Sequence, residues 1–147
     1  MNYDALLWIH SIAAYVWLVS LLVSLVLAVL AARRGPEAVA TRARTLVVVS
    51  TRVGLPAAVI LLIAGFWMMG QASLNYGSTW VSIGFAAWLL AALVGSGFQH
   101  PLARRLRNAA PGGAEALKSA RIILLIGVAQ VFVLVVAIWA MSAQPGA

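Results

Sequence analysis

Four long apolar runs, at residues 5–32, 46–70, 80–99 and 122–141, alternate with short stretches that hold nearly all the polar residues. Each is long enough to cross a hydrocarbon core of ~30 Å, which takes about 20 helical residues. Backbone N–H and C=O groups inside such a core have no water to bond to, so a spanning run must satisfy them within itself, and an α-helix does so. The pattern predicts an all-α fold: one domain over residues 1–147, a bundle of four transmembrane helices. The first two runs exceed the minimum length and are expected to tilt or to project beyond the bilayer.

Inside the first run the pattern becomes finer. His10, Ala13, Ala14, Trp17, Ser20 and Ser24 are spaced by threes, fours and sevens and therefore share one helical face, while Leu, Ile and Val fill the others. A helix in lipid turns its apolar residues to the acyl chains, so this polar and small stripe should face partner helices or a cavity. His10 is the one imidazole within an apolar run, and it is expected in the interior.

Composition agrees with the pattern. The chain is 64% hydrophobic and 9% charged, with a mean hydropathy of +1.02, more apolar surface than a water-soluble domain of this size can hide. There is no cysteine, which removes disulfides, thiolate metal sites and a cysteine nucleophile together. The N-terminus, Met1-Asn2-Tyr3-Asp4, lacks the positive region of a signal peptide, and the first apolar run is kept as a span.

Charge adds an orientation. All the basic residues fall in or beside two loops: Arg33, Arg34, Arg42, Arg44 and Arg52, then Arg104, Arg105, Arg107, Lys118 and Arg121. Basic loops stay in the cytoplasm, so both termini and the loop at residues 71–79 are expected outside. Trp8, Trp67, Trp80 and Trp139 fall at the outer end of each run, where the amphipathic indole favours the interface. The net charge of +7 flanks the spans and forms no groove with stacking aromatics, which points to anionic lipid headgroups and away from nucleic acid.

Smaller signals mark the connections. Gly35-Pro36-Glu37 predicts a turn followed by a short amphipathic helix, and Gly54 with Pro56 a local kink. Arg52 is expected to snorkel to the inner interface. Ala64-Gly65 permits close approach of another helix, and Ala87, Ala91 and Gly95 form a ridge of small residues. Asn75-Tyr76-Gly77-Ser78 reads as a turn, His100-Pro101 as the end of the third helix, and the segment 110–113 as a break. Gln130 sits near mid-membrane and needs a partner, with Ser20, Ser24 or a backbone carbonyl in reach. The two basic loops echo one another weakly; as a repeat they would pair Trp8-Ile9-His10 with Trp80-Val81-Ser82, although convergence on one charge rule explains the likeness as well.

Candidate chemistry is sparse. The three acids, Asp4, Glu37 and Glu115, all lie outside the spans, which leaves no membrane carboxylate for ion-coupled transport and no carboxylate pair for hydrolysis. P-loop, zinc-protease, nucleophile-elbow and dinucleotide motifs are absent. What remains is His10 with the thioethers of Met68, Met69 and Met141 at the same depth on other helices. Imidazole and thioether together ligate haem or copper, and facing helices of a bundle commonly cradle such a group. The plain alternative is a hydrogen-bonded histidine among packed methionines. His100 lies at the far end of its helix and cannot join His10.

The stretch Leu7-Trp8-Ile9-His10-Ser11-Ile12-Ala13-Ala14-Tyr15-Val16-Trp17 resembles the first helix of several bacterial membrane families. These are the copper-resistance D type domains, membrane protoporphyrinogen-oxidase-like proteins, the membrane domain of certain urate oxidases, and an uncharacterised four-span family that is similar in length and layout. The likeness extends to the basic first loop, Pro56 and Gly65 in the second helix, Trp80 opening the third, and the basic stretch after it. It implies a bacterial inner-membrane protein and, from the oxidase-like family, a haem ligand at His10. That family's lysine after the third-helix tryptophan is missing, since Val81-Ser82-Ile83-Gly84 follow Trp80, and Trp17-Leu18-Val19-Ser20 replaces a W-x-G-G ending.

Two functions are therefore expected. One is a small inner-membrane protein that holds haem b or copper at His10 near the outer face, for electron transfer or metal handling. The other is a cofactor-free accessory or assembly subunit, or a homo-oligomer, that packs through its ridge of small residues.

Overall fold

The computed structural model describes residues 2–72, 77–109 and 112–144, and among these it contains helices and no strand. Helix α1 runs over Tyr3–Ala32. Its start is set by Asn2, whose side chain accepts a hydrogen bond from the Ala5 N–H at 3.1 Å, and by Asp4 in the first turn, favourable to the helix dipole. The chain then reverses at Gly35, which has φ 102°, a conformation that costs a side-chain-bearing residue energy. Pro36 begins α2 (Pro36–Val49) at a position where its missing N–H is no loss.

Helix α2 does not stop at the expected loop. It passes through a π-helical turn, Ser50–Gly54, straight into α3 (Leu55–Ala72), so the first basic loop is mostly the amphipathic start of one long rod. The next rod is built in the same way. Helix α4 (Thr79–Leu93) runs through a second π-helical turn, Val94–Phe98, into α5 (Gln99–Asn108). The expected end at His100-Pro101 is thus corrected. Pro101 falls in the first turn of α5, where the N–H that it lacks is not called on by the α-helical ladder, and the helix continues to Asn108. Helix α6 occupies Ala114–Ala143 and closes on Gln144 in the left-handed conformation. The expected turn at Asn75-Tyr76 and the Ala110-Pro111 part of the break lie outside the described residues.

Three stretches, Tyr3–Ala32, Pro36–Gln71 and Ala114–Ala143, are long and apolar enough to cross a membrane; Thr79–Leu93 is a shorter apolar helix. Their outward surfaces are covered by Val, Leu, Ile and Phe, including Val29, Leu125 and Phe132, as lipid-facing helices require.

Helix α1 packs along α3 and α2, and α6 along α4 and α5, so the fold is two tight hairpins; α3 and α4 scarcely meet. The hairpins join mainly toward the arginine-bearing end, where Trp17, Leu21, Leu46, Leu106, Ile123 and a set of alanines form the core. There Leu25 and Leu46 close over Gly127. Arg44 Nη2 donates to the Leu106 carbonyl at 2.9 Å, satisfying one of the last carbonyls of α5 with a cation. One of the basic residues read from sequence as facing lipid headgroups thus ties α2 to α5.

Toward the end carrying the chain termini, the hairpins separate. The ridge expected from Ala87, Ala91 and Gly95 is used inside the chain: Ala87 and Ala91 are buried, Ala91 within the common core, and Gly95 receives the Gln130 amide.

Candidate functional site

The separation of the hairpins leaves a cavity of about 630 Å³ reached by α1, α3, α4 and α6. Its floor is Trp17, Trp88 and Leu134; its rim near the termini carries Tyr3, Trp80, Ser142 and Gln144. Phe66 and Phe85 line it where α3 and α4 diverge, and both are also exposed. Across that gap only side chains reach. Phe66 meets Phe85 edge-on at 6.2 Å, Phe85 stacks on Trp88 at 6.1 Å, and Trp88 Nε1 donates to the Ala58 carbonyl at 2.9 Å.

His10 is the one imidazole in the lining. It hydrogen-bonds through Nδ1 to the Leu61 carbonyl at 2.9 Å. A carbonyl oxygen only accepts, so Nδ1 carries the proton, and in the neutral ring Nε2 then bears the lone pair. The Nδ1–Cε1 edge of the ring packs closely on α3 because residue 65 is glycine: a Cβ there would stand 3.2 Å from His10 Cε1 and 3.4 Å from Nδ1. The ring also lines the cavity. Ser11 also lines the cavity but gives His10 no bond; the orienting partner comes from another helix, as its position around α1 requires.

The three methionines named with His10 line the same cavity. Met68 and Met69 are buried on α3, one turn from Gly65 on the His10 wall. Met141 belongs to the opposite wall, where its methyl group fills the notch left by Gly84 of α4. His10 and Met141 thus stand on different hairpins and face a common space. Among the described residues no three of His, Cys, Asp and Glu come together; the lining offers the His10 imidazole, the thioethers of Met68, Met69 and Met141, and the phenols of Tyr3 and Tyr15. No Lys, Arg, Asp or Glu among the described residues lines the cavity.

Several lining residues are not assigned to a site by the sequence alone. Trp80, Gly84 and Trp88 recur every four residues on one face of α4, a spacing that marks them as a set. The Leu61 carbonyl had no such signal, because a backbone acceptor has no letter of its own.

Gln130 finds partners other than the serines. Ser20 donates to the Trp17 carbonyl and Ser24 to that of Ser20, both within α1. The Gln130 amide instead donates to the Ala91 carbonyl at 3.0 Å and accepts from Gln99 Nε2 at 3.0 Å.

No curated protein and no solved structure matches the chain. A family model does, over residues 4–145, nearly the whole length. The chain is therefore an integral membrane protein of the DUF2269 family, whose description is "predicted integral membrane protein".

Proposed function

We propose that this protein binds a haem-type macrocycle in the cavity between its hairpins, where His10 would hold the iron through Nε2, and serves electron transfer. The carrying observation is the oriented imidazole: Nδ1 is held by a backbone carbonyl, the arrangement that fixes the tautomer of a metal-binding histidine. The size of the space supports a large ligand over a lone copper ion, since 630 Å³ falls within the roughly 300–1,000 Å³ typical of organic-ligand pockets. Met141, Met68 or Met69 would supply a thioether as second ligand, a donor that raises the reduction potential of the iron. Tyr3, Ser142 and Gln144 at the rim would offer polar partners to the carboxylates of such a group. The bound iron would supply one-electron chemistry; the protein supplies orientation and an apolar surround. The resemblance of the first helix to the oxidase-like and copper-resistance families agrees with His10 in this role, while the missing lysine after Trp80 speaks against the oxidase activity itself. The accessory-subunit reading loses its motive, because the small-residue ridge is already occupied by α6.

Titration of the purified protein with haem should give a Soret band and a thermal midpoint that rises with haem, since a ligand specific to the folded state stabilises it. His10→Leu should lose both responses while remaining folded, as an apolar side chain replaces a polar one. Equal responses in the two proteins would refute the site, and stabilisation by copper alone would replace haem as its ligand.

We also propose that Thr79–Phe98, which at 1.5 Å per residue reaches about 30 Å, is a fourth crossing in a bacterial inner membrane, with both termini outside. The chain lacks cysteine, so single cysteines at Tyr3, Arg42, Lys118 and Gln144 report sidedness cleanly. Tyr3→Cys and Gln144→Cys should react with an impermeant thiol reagent outside the cell, and the other two only after the membrane is opened. The reverse pattern would invert the topology.

A further inference from the structure

The His10 cavity ends at Trp17, and on the far side of that indole a second cavity begins. It encloses about 40 Å³ and is lined by Trp17, Ser50, Thr51, Gly95 and Gln130, among others. Trp17 is thus a wall of both. At 1.5 Å per residue, Trp17 lies about 21 Å along α1 from Tyr3. Measured from the same end of the bundle, Gln99 lies about 30 Å from Thr79, and Ser50 about 33 Å from Ala72. End to end, the two cavities and the polar groups below them cover about 30 Å, a hydrocarbon thickness.

The second cavity differs in chemistry from the first. Gln130 and Gln99 are buried and bonded to each other, and the Gln99 Oε1 and Ser50 Oγ atoms have no hydrogen-bond partner among the described residues. Each such acceptor, left dry in an apolar bundle, keeps the cost of its desolvation without the return of a hydrogen bond. The volume suits a few water molecules, each needing roughly 10–15 Å³ of this kind of space, and nothing larger. The site also lies between the two π-helical turns, Ser50–Gly54 and Val94–Phe98, and each turn is entered at a glycine by a side chain from another helix. A Cβ at Gly54 would stand 2.9 Å from Trp17 Nε1, and one at Gly95 would strike the Gln130 amide. Neutral polar side chains buried in a membrane bundle ordinarily hydrogen-bond between helices; here two of their oxygens lack such a partner among the described residues, and π-helical turns recur at functional sites.

We propose that the second cavity is part of a proton path joining the arginine-bearing end of the bundle to the His10 cavity, with the Trp17 indole as its gate. Water held by Ser50 Oγ, the Thr51 hydroxyl and the Gln130 amide, all in the lining, carries the proton, with Gln99 behind the cavity wall holding Gln130 in place, so no residue along this stretch has to ionise. The proton emerges on the cavity side of Trp17, within the space that His10 lines. The inference stands on the two cavities and does not require the cofactor proposed above.

Proton flux into liposomes containing the purified protein, driven by a potassium diffusion potential with valinomycin and read by an internal pH dye, tests the path. Wild type should leak slowly, and Trp17→Ala about tenfold faster, as expected when one steric barrier is lowered by ~1.4 kcal/mol. Adding Gln99→Met and Gln130→Leu together should return the leak to that of protein-free vesicles. A Trp17→Ala leak that survives the apolar pair, or that also passes choline, would overturn the proposal, as would no leak from folded, inserted protein. Independently of the two glutamines, Ser50→Ala in the Trp17→Ala background should slow the leak several-fold, because it removes a hydroxyl that lines the cavity at little cost in volume. A leak unchanged by Ser50→Ala would overturn the proposal as well.

Discussion

Gly65→Leu is expected to abolish haem binding although it replaces no residue that could ligate iron. Helix α3 offers His10 a flat place only where residue 65 has no side chain: even a lone Cβ comes within 3.2 Å of the ring, and three further carbons would occupy the space of the imidazole itself. Displaced, His10 loses the Leu61 carbonyl that sets its tautomer. Loss of such an orienting bond typically costs 10–100-fold in affinity, and here the ring is moved as well, so about 100-fold or more is expected. Gly65→Ala should cost far less, because the ring needs to yield only a few tenths of an ångström. Gly70→Leu is the control: a Cβ there meets nothing within 4 Å, and haem titration should match wild type. Unchanged binding in Gly65→Leu would show that the His10 niche is not the binding site.

The second large effect is on stability. Gln130→Leu should destabilise the bundle by about 2–3 kcal/mol, because it removes the bond to the Ala91 carbonyl and leaves the buried Gln99 amide with neither a donor nor an acceptor partner. Hydrogen bonds between membrane helices are individually modest, about 0.6 kcal/mol on average, so most of this cost is the stranded amide. The sign of the double variant follows. Gln99→Met with Gln130→Leu removes both polar groups and should recover most of the loss, since apolar groups of similar shape then leave no side-chain amide stranded. Unfolding in a mixed detergent, measured for the two single variants and the double, gives the coupling directly. Additive losses would mean that the two glutamines do not act as one unit.

These two sites differ in how far they could be read from the letters. The interior position of His10 follows from its spacing to Ala13, Trp17 and Ser24, because a helix in lipid hides whatever is polar. The need of Gln130 for a partner follows for the same reason. Neither partner could be named. Periodicity gives the direction of a side chain around its own helix, whereas the neighbour it meets depends on how the rods cross. Ser20 and Ser24 were in reach of Gln130 by depth, yet each bonds a carbonyl of its own helix, as hydroxyls in apolar helices commonly do.

Boundaries failed where the reasoning relied on run length. An apolar run measures what lipid will tolerate, and it says nothing about whether the helix goes on in a polar phase. The rods from Pro36 to Ala72 and from Thr79 to Asn108 continue well past the apolar runs through π-helical turns. Gly54 and Gly95 stand at those turns, each entered by a side chain from a neighbouring helix.

The sequence by itself determined the all-helical class, the apolar rods and the sorting of arginines to one end. These depend on the transfer of side chains and backbone between water and hydrocarbon, which each residue contributes wherever its neighbours lie. It also placed His10 on an inward face. Only the tertiary structure decided that the hairpins part toward the termini, that His10 and Met68 share one wall while Met141 stands on the other, and that Trp17 separates a large apolar cavity from a small polar one. Those outcomes rest on the fit of particular side chains into particular glycine notches, and shape complementarity between distant segments has no periodic trace in the chain.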